Sequence, residues 1–250
     1  MKHVLLIGRP GVGKTALIKD LAQGLRGGPI DGFYTEELRE HGQRLGYWLS
    51  SLDGRQALLA HREAIVSDHQ VGPFRVNLGV MDQLGVAILK RAMRQALIVF
   101  IDELGEMELG SLAFQAAVEE AFVHGPRVIA TAGLEPLPFV EMLKRRKDVE
   151  LVPVSAQTRQ PVFEELRARL EALCHEDEQV RELSRQADRI CEMIVAEEAS
   201  AVDVEIQQAK LREAVARLFP EKVGLFQLLY ESRFRRLWQQ FREGQRWDMP

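Results

Sequence analysis

At 250 residues the chain has room for one α/β domain with an appendage, or for two small domains. Hydrophobic residues make up 46% and charged residues 28%, with a formal net charge of −4, which gives no general reason to expect nucleic acid as a partner. The longest apolar run, residues 96–101, is far too short to span a bilayer, and the first residues read as a strand rather than a signal segment, so no membrane association and a cytoplasmic location are expected.

In chain order, His3-Val4-Leu5-Leu6-Ile7 reads as a short buried strand, and helical spacing begins at Ala16. Between them, Gly8-Arg9-Pro10-Gly11-Val12-Gly13-Lys14-Thr15 fits the pattern G-x-x-x-x-G-K-[ST]. Gly8, Gly11 and Gly13 permit backbone angles that turn successive N–H groups onto phosphate oxygens at a helix N-terminus. Lys14 adds a mobile positive charge, and Thr15 places a hydroxyl where a phosphate-bound Mg²⁺ can be coordinated. Pro10 stiffens the loop without removing a needed donor. Arg9 and Val12 complete the candidate phosphate site.

Residues 31–38, 44–49 and 56–60 then read as an antiparallel meander turned at His41-Gly42 and Asp53-Gly54. A loop over 67–74 leads to a helix over 81–95, with Leu84, Ile88 and Ala92 on one face. The buried run 97–101 ends in Asp102-Glu103, and a helix over 111–124 follows with Ser111 as its cap. A strand over 127–131, a helix over 139–147, a strand over 149–154 and a helix over 161–173 complete an alternation. That alternation implies a mostly parallel sheet covered on both faces.

A phosphate-transfer site needs an acidic residue at the end of a buried strand, and the strand ending in Asp102 is expected to lie beside the phosphate strand. Asp102 would hold Mg²⁺ with Thr15, and Glu103 would orient or deprotonate a water aimed at a γ-phosphate. Taken alone, the acidic pair also reads as a solvated turn. Arg9, Arg145, Arg146 and Arg159 are the candidates for neutralising transition-state charge, with a plain surface role as the alternative for each. Glu36 and Glu37 are expected near the nucleotide or an acceptor, or else as a structural strand pair. With the segment 67–76 they would line an acceptor pocket.

From His175 the pattern changes. Val180, Leu183, Ala187, Ile190 and Ile194 form one helical seam, and Val204, Leu211, Val215 and Leu218 a second one, which ends at Phe219-Pro220. Phe226, Tyr230, Phe234, Leu237 and Phe241 mark a third. The expected division is therefore an α/β domain over 1–174 and an all-α module over 175–250. Arg233, Arg235, Arg236, Arg242 and Arg246 beside Phe234, Trp238 and Phe241 would suit a nucleic-acid face. The alternative is that the aromatics pack on other helices or a second subunit, and nucleic acid is not expected. Cys174 and Cys191 form no recognised pair and are expected to be reduced, and the scattered histidines show no metal-ligand spacing.

The ordered motifs Gly8 to Thr15, Asp31-Gly32-Phe33-Tyr34-Thr35-Glu36-Glu37, Val71-Gly72, Asp102-Glu103-Leu104-Gly105, Met107-Glu108-Leu109 and Arg146-Lys147-Asp148-Val149 resemble one family. It is the THEP-type nucleoside-triphosphatase family, also called the cancer-related nucleoside-triphosphatase family, and the resemblance covers about 170 residues. It implies a RecA-like P-loop NTPase fold with a mixed sheet, and Mg²⁺-dependent hydrolysis of ATP or other nucleoside triphosphates with little base selectivity. Lys14 and Glu103 would be its catalytic residues, and no N-K-x-D guanine-reading motif is present. The competing expectations are a nucleoside or nucleotide kinase, and a nucleotide switch acting on a protein partner or second copy through 175–250. Glu106 departs from the family pattern; it is expected either to alter metal affinity or to point to solvent, with Glu108 capping locally. The helical region lies outside the family's compact domain.

Overall fold

Val4, Leu5 and Leu6, and Ile98 through Ile101, are wholly inaccessible to solvent, which a strand achieves only when helices cover both faces of its sheet. The computed structural model describes residues 1–196 and 199–242 and divides into two compact units, Met1–Cys174 and His175–Pro250.

The first unit opens with β1 (His3–Ile7), α1 (Lys14–Gly24), β2 (Ile30–Glu40), β3 (Gln43–Ser51) and β4 (Gln56–His61). The β2–β3 turn has positive φ at both His41 (48°) and Gly42 (81°), the combination a tight I′ hairpin requires. The segment expected as a loop over 67–74 instead contains β5 (Gln70–Val71) and the start of β6 (Phe74–Val76). Gly72 sits at their turn with φ 56°, which lets two very short strands close on each other. Next, α2 (Leu78–Val80) passes through a π-helical turn, Met81–Gly85, into α3 (Val86–Gln95). Then follow β7 (Ile98–Ile101), α4 (Leu112–His124), β8 (Arg127–Ala132), α5 (Pro138–Lys144), β9 (Val149–Pro153) and α6 (Arg159–Ala196). Ser111 caps α4 as expected, its hydroxyl accepting from Phe114 N at 2.9 Å.

The strands form one sheet in the order β5-β6-β4-β3-β2-β7-β8-β1-β9. From β2 to β9 every neighbouring pair is parallel, and from β2 outward through the meander every pair is antiparallel. The strand that ends in Asp102 is not beside the phosphate strand, because β8 lies between β7 and β1. Lateral order is set by pairing between distant segments, which the local apolar pattern does not encode.

Alternate side chains sort into two cores. Leu5, Val99, Ile101 and Ala130 face a cluster with Leu89, Phe114, Val118 and Phe122 from α3 and α4. Val4, Leu6, Phe100 and Ile129 face Leu17, Ile18 and Leu21 of α1 and Leu166 and Leu170 of α6. The expected end of a helix near residue 173 is not observed, since α6 continues to Ala196. No glycine or proline interrupts the sequence between Pro161 and Pro220, so nothing local stops it.

The second unit adds α7 (Ala201–Leu218), α8 (Val223–Phe226) and, after a π-helical turn, α9 (Ser232–Phe241). Ser200 and Asp203 form a reciprocal capping box at the start of α7. Ile190, Ile194, Val204, Leu211, Phe234 and Trp238 make this unit's own core. Phe234 and Trp238 are buried, as the packing alternative has it, whereas Phe241 is exposed. Arg233 pairs with Asp188 at 3.0 Å, and Arg242 donates to the carbonyls of Met193, Ile194 and Ala199. Arg246 lies outside the described residues. Among the described residues no helix is long and apolar enough to cross a membrane.

Phe114 is fully buried with its ring centroid 5.7 Å from that of Phe33. Phe114→Ala is expected to destabilise the first unit by about 3–5 kcal/mol in chemical denaturation, the range for emptying a buried aromatic site. A loss below about 1 kcal/mol would contradict this packing.

Candidate active site

β1 delivers the chain to the C-terminal edge of the sheet, and the loop that follows turns it into α1. Gly8 sits so close to the β9 end that a Cβ there would lie 2.4 Å from the Val154 carbonyl oxygen. Gly11 and Gly13 have φ of 77° and 93°, and Gly13 caps α1 without a side-chain acceptor. The first-turn N–H groups of α1 are thus left free of a side-chain cap, with the positive end of the helix behind them.

Lys14 is 5% exposed and folds back over the loop. Its Nζ donates to Gly8 O at 2.9 Å and Arg9 O at 3.4 Å, and stands 3.5 Å from Glu103 Oε2. The structure therefore brings the two motifs together across the intervening strand. A cis peptide joins Asp102 to Glu103 at the end of β7.

Asp102 is fully buried. Its Oδ1 accepts from Thr131 Oγ1 at 2.6 Å, a contact supplied by β8, while Oδ2 makes no full hydrogen bond among the described residues, the Thr15 hydroxyl and the Thr35 amide lying near enough only to draw the carboxyl down. Burial pushes this carboxyl above the ordinary aspartate value, against the opposing influence of Thr131, Thr15, the Thr35 amide and Lys14. A buried carboxylate oxygen without a full hydrogen bond is costly unless a ligand completes it. Mg²⁺ suits that oxygen in chemistry: it is a hard cation held by one or two carboxylates together with phosphates and water. Among the described residues no group of three or more His, Cys, Asp or Glu side chains is placed to hold a metal by itself.

Glu103 is half-buried, and burial raises its carboxyl, with Lys14 opposing and Asp102 and Glu135 adding to the rise. Glu106 is exposed, whereas Glu108 is 5% exposed and accepts from Gly105 N at 3.2 Å. The reading of Glu106 as solvated and Glu108 as a local cap is thus the one the geometry matches. Burial, reinforced by the charges of Glu103 and Asp102, pushes the Glu108 carboxyl up to about 8.

A cleft of about 580 Å³ opens beside the loop. Lys14, Thr15 and Lys19 line one side, Thr35, Glu36, Glu37, Arg44 and Tyr47 of the meander line the other, and Glu103 faces into it. Lys19 Nζ meets Glu36 Oε1 at 2.5 Å and lies 4.2 Å above the Tyr34 ring. Burial alone would raise Glu36, but the hydrogen bonds from Lys19 and Ser50 outweigh it and hold the carboxyl low. A second cavity of about 550 Å³ shares Lys19 but includes no residue of the glycine loop. Its wall carries Arg91, which clasps Asp31 through two contacts of 2.6 Å.

Several expected partners are elsewhere. Arg146 binds Asp148 at 2.7 Å and the Phe122 carbonyl at 2.8 Å, next to the starts of β1 and β9, and Arg145 is exposed at the end of α5. That is the edge where the strands begin, opposite the glycine loop, because α5 runs back across the sheet before β9. Arg159 lies against Gly13 and pairs with Asp20 at 3.0 Å, outside the cleft lining, and Arg9 is exposed. Segment 67–76 does not line the cleft either. It is carried away on the far side of β4, and only Phe74 approaches, with its ring 5.2 Å from Tyr47. Lys19, Arg44 and Tyr47 were not expected there. Lys19 follows Thr15 by one helical turn, which is a readable signal, whereas Arg44 and Tyr47 arrive through strand register.

A family model described as NTPase matches residues 3–167. The nucleoside-triphosphatase THEP1 of Thermotoga sp. (strain RQ2) is 41% identical over 163 residues, covering 65% of this chain and 92% of that protein. The human cancer-related nucleoside-triphosphatase is 35% identical over 177 residues, covering 63% of this chain and 90% of that protein. The crystal structure of THEP1 from the hyperthermophile Aquifex aeolicus aligns with a TM-score of 0.60 at 29% identity, over 66% of this chain and 96% of that one.

Glu108 makes a pH prediction. A carboxyl raised from 4.5 to about 8 binds a proton in the native state that the unfolded chain releases, so its contribution to stability is lost as pH climbs through that window. Glu108→Gln cannot ionise. The melting temperature of the variant minus that of the parent should therefore rise steadily between about pH 5 and pH 8. A difference that stays flat across that range would contradict the buried, protonated carboxyl.

Proposed function

This chain belongs to the THEP1-type nucleoside-triphosphatase family, and on that premise we propose that it performs Mg²⁺-dependent hydrolysis of nucleoside triphosphates with little base selectivity. The observation that carries the reading is the buried Asp102 Oδ2, without a full hydrogen bond and near Thr15, at the strand end that also presents Glu103 3.5 Å from Lys14.

The N–H groups of the Gly8–Thr15 loop and the open end of α1 bind the phosphate oxygens, and Lys14 leaves its carbonyl contacts to meet them. Thr15 and Asp102 would hold Mg²⁺, which supplies neutralisation of the phosphate charge when bound. Glu103 accepts a proton from water. Its raised carboxyl suits that role, since a base whose affinity for protons lies nearer neutrality takes one more readily. Low base selectivity follows from binding that rests on phosphates, together with the missing guanine-reading motif. All these residues belong to the unit Met1–Cys174, and we assign hydrolysis to it, with 175–250 as a separate helical module.

Phosphate release from ATP, GTP, CTP and UTP is expected to require Mg²⁺ and to differ little among the four. Glu103→Gln should lower turnover about 100-fold or more while nucleotide still binds. Unchanged turnover in that variant would remove Glu103 from the mechanism. If a nucleoside monophosphate raised diphosphate formation and yielded a phosphorylated product, the acceptor would be that compound rather than water.

A further inference from the structure

Hydrolysis in this cleft is accelerated by positive charge on the transferring phosphoryl group beyond that of Lys14 and Mg²⁺, because charge spreads over its three equatorial oxygens in the transition state. Of the expected arginines, Arg145 and Arg146 lie at the opposite edge of the sheet, Arg159 pairs with Asp20 beside Gly13, and Arg9 is exposed on the loop. Arg44, on β3, lines the cleft itself.

Its setting is that of a held but releasable cation. Nη1 donates to the Tyr47 hydroxyl at 3.0 Å, Nη2 meets Glu37 Oε1, and the guanidinium carbon lies 5.7 Å from the Tyr47 ring centre. Nε is buried without a hydrogen-bond partner among the described residues. A guanidinium has more N–H donors than these two partners use. Glu37 does not depend on Arg44 alone, since Arg39 Nε takes its other oxygen at 2.6 Å. Arg44 can therefore turn toward an anion without leaving a bare carboxylate behind. The neighbouring carboxylate on the same wall, Glu36, is matched by Lys19, so each of the two carboxylates keeps one cation when Arg44 turns away.

We propose that Arg44 is the transition-state cation of this site, donating to the γ-phosphoryl oxygens from the meander side while Lys14 acts from the loop. The proposal rests on the hydrolytic reading of the same cleft. In the step it serves, a water lone pair forms the new bond to the γ-phosphorus. The bond from that phosphorus to the bridging oxygen breaks, and its electron pair stays on the departing diphosphate. Glu103 takes the proton from the attacking water. Arg44 gives and takes no proton; its planar fork matches the oxygens where charge gathers.

The test compares the full chain with Arg44→Gln, which keeps most of the side-chain stem, and Arg44→Lys, which keeps charge without the fork. Turnover is measured together with the affinity for Mg²⁺·ADP, with and without aluminium fluoride, which mimics the transferring group. Arg44→Gln should lower kcat about 100-fold, keep ADP affinity within about threefold, and abolish the tightening by fluoride; Arg44→Lys should recover part of both losses. A fall in kcat of less than about tenfold, or retained tightening, overturns the assignment. Should Arg44→Gln not fold, Arg44→Lys carries the test: kcat and the tightening by fluoride are both expected to fall between those of the parent and none, and parent-like kcat with full tightening overturns the assignment. Glu103→Gln run in parallel separates the two readings. If it abolishes phosphate release while Arg44→Gln does not, Arg44 alone is dismissed, whereas indifference to both substitutions dismisses hydrolysis in this cleft.

Discussion

Asp102 sits fully out of water at the end of β7, with one carboxylate oxygen bound to Thr131 and the other making no full hydrogen bond among the described residues. A folded chain tolerates such a group only where another interaction offsets it, and on the proposed reading that interaction is a cation bound with a phosphate. β8, inserted between β1 and β7, supplies the Thr131 hydroxyl that fixes one oxygen and leaves the other toward Thr15. The close-packed strand layers beneath, Phe100 and Ile101 on β7 and Ala130 on β8, hold this edge with no solvent access. Precision at the carboxylate is thus inherited from the two cores on the sheet's faces.

The loop and the meander then act as opposite walls of one charged cleft. On the loop side, positive φ at Gly11 and Gly13 and the missing side-chain cap of α1 leave donors without internal partners. On the meander side, each carboxylate is matched to a cation, Glu36 to Lys19 and Glu37 to both Arg39 and Arg44. Binding a polyanion therefore means exchanging existing ion pairs for new ones, an arrangement that conserves charge balance while moving it toward the substrate. Lys14 shows the same logic at shorter range, since its contacts with two loop carbonyls and Glu103 are ones a phosphate can replace.

Local features were legible in the sequence because they are encoded locally. Gly8 to Thr15 announced the loop, His41-Gly42 and Asp53-Gly54 the meander turns, Ser111 the cap of α4, and Asp102-Glu103 the end of a buried strand. Most differences from the local pattern concern relations between distant segments. The place of β8 between β1 and β7, the position of Arg146 at the wrong edge of the sheet, and the departure of segment 67–76 from the cleft depend on lateral strand order. Arg44 went unnoticed because an arginine two residues before a Gly-Tyr pair has no local signature. Only the register that sets Glu37 opposite Tyr47 brings it to the site. The unbroken α6 is a different case, in which a change of composition near His175 was read as a change of element.

On the proposed reading, Asp102 is buried with an oxygen short of a full hydrogen bond because it completes a metal–nucleotide complex. The most direct measurement is the affinity for ATP, by calorimetry, as a function of Mg²⁺ concentration in the parent chain and in Asp102→Asn. The account predicts that Mg²⁺ strengthens binding to the parent and has little effect on the variant, which still binds the nucleotide through its loop. An equal Mg²⁺ dependence in both proteins would contradict it.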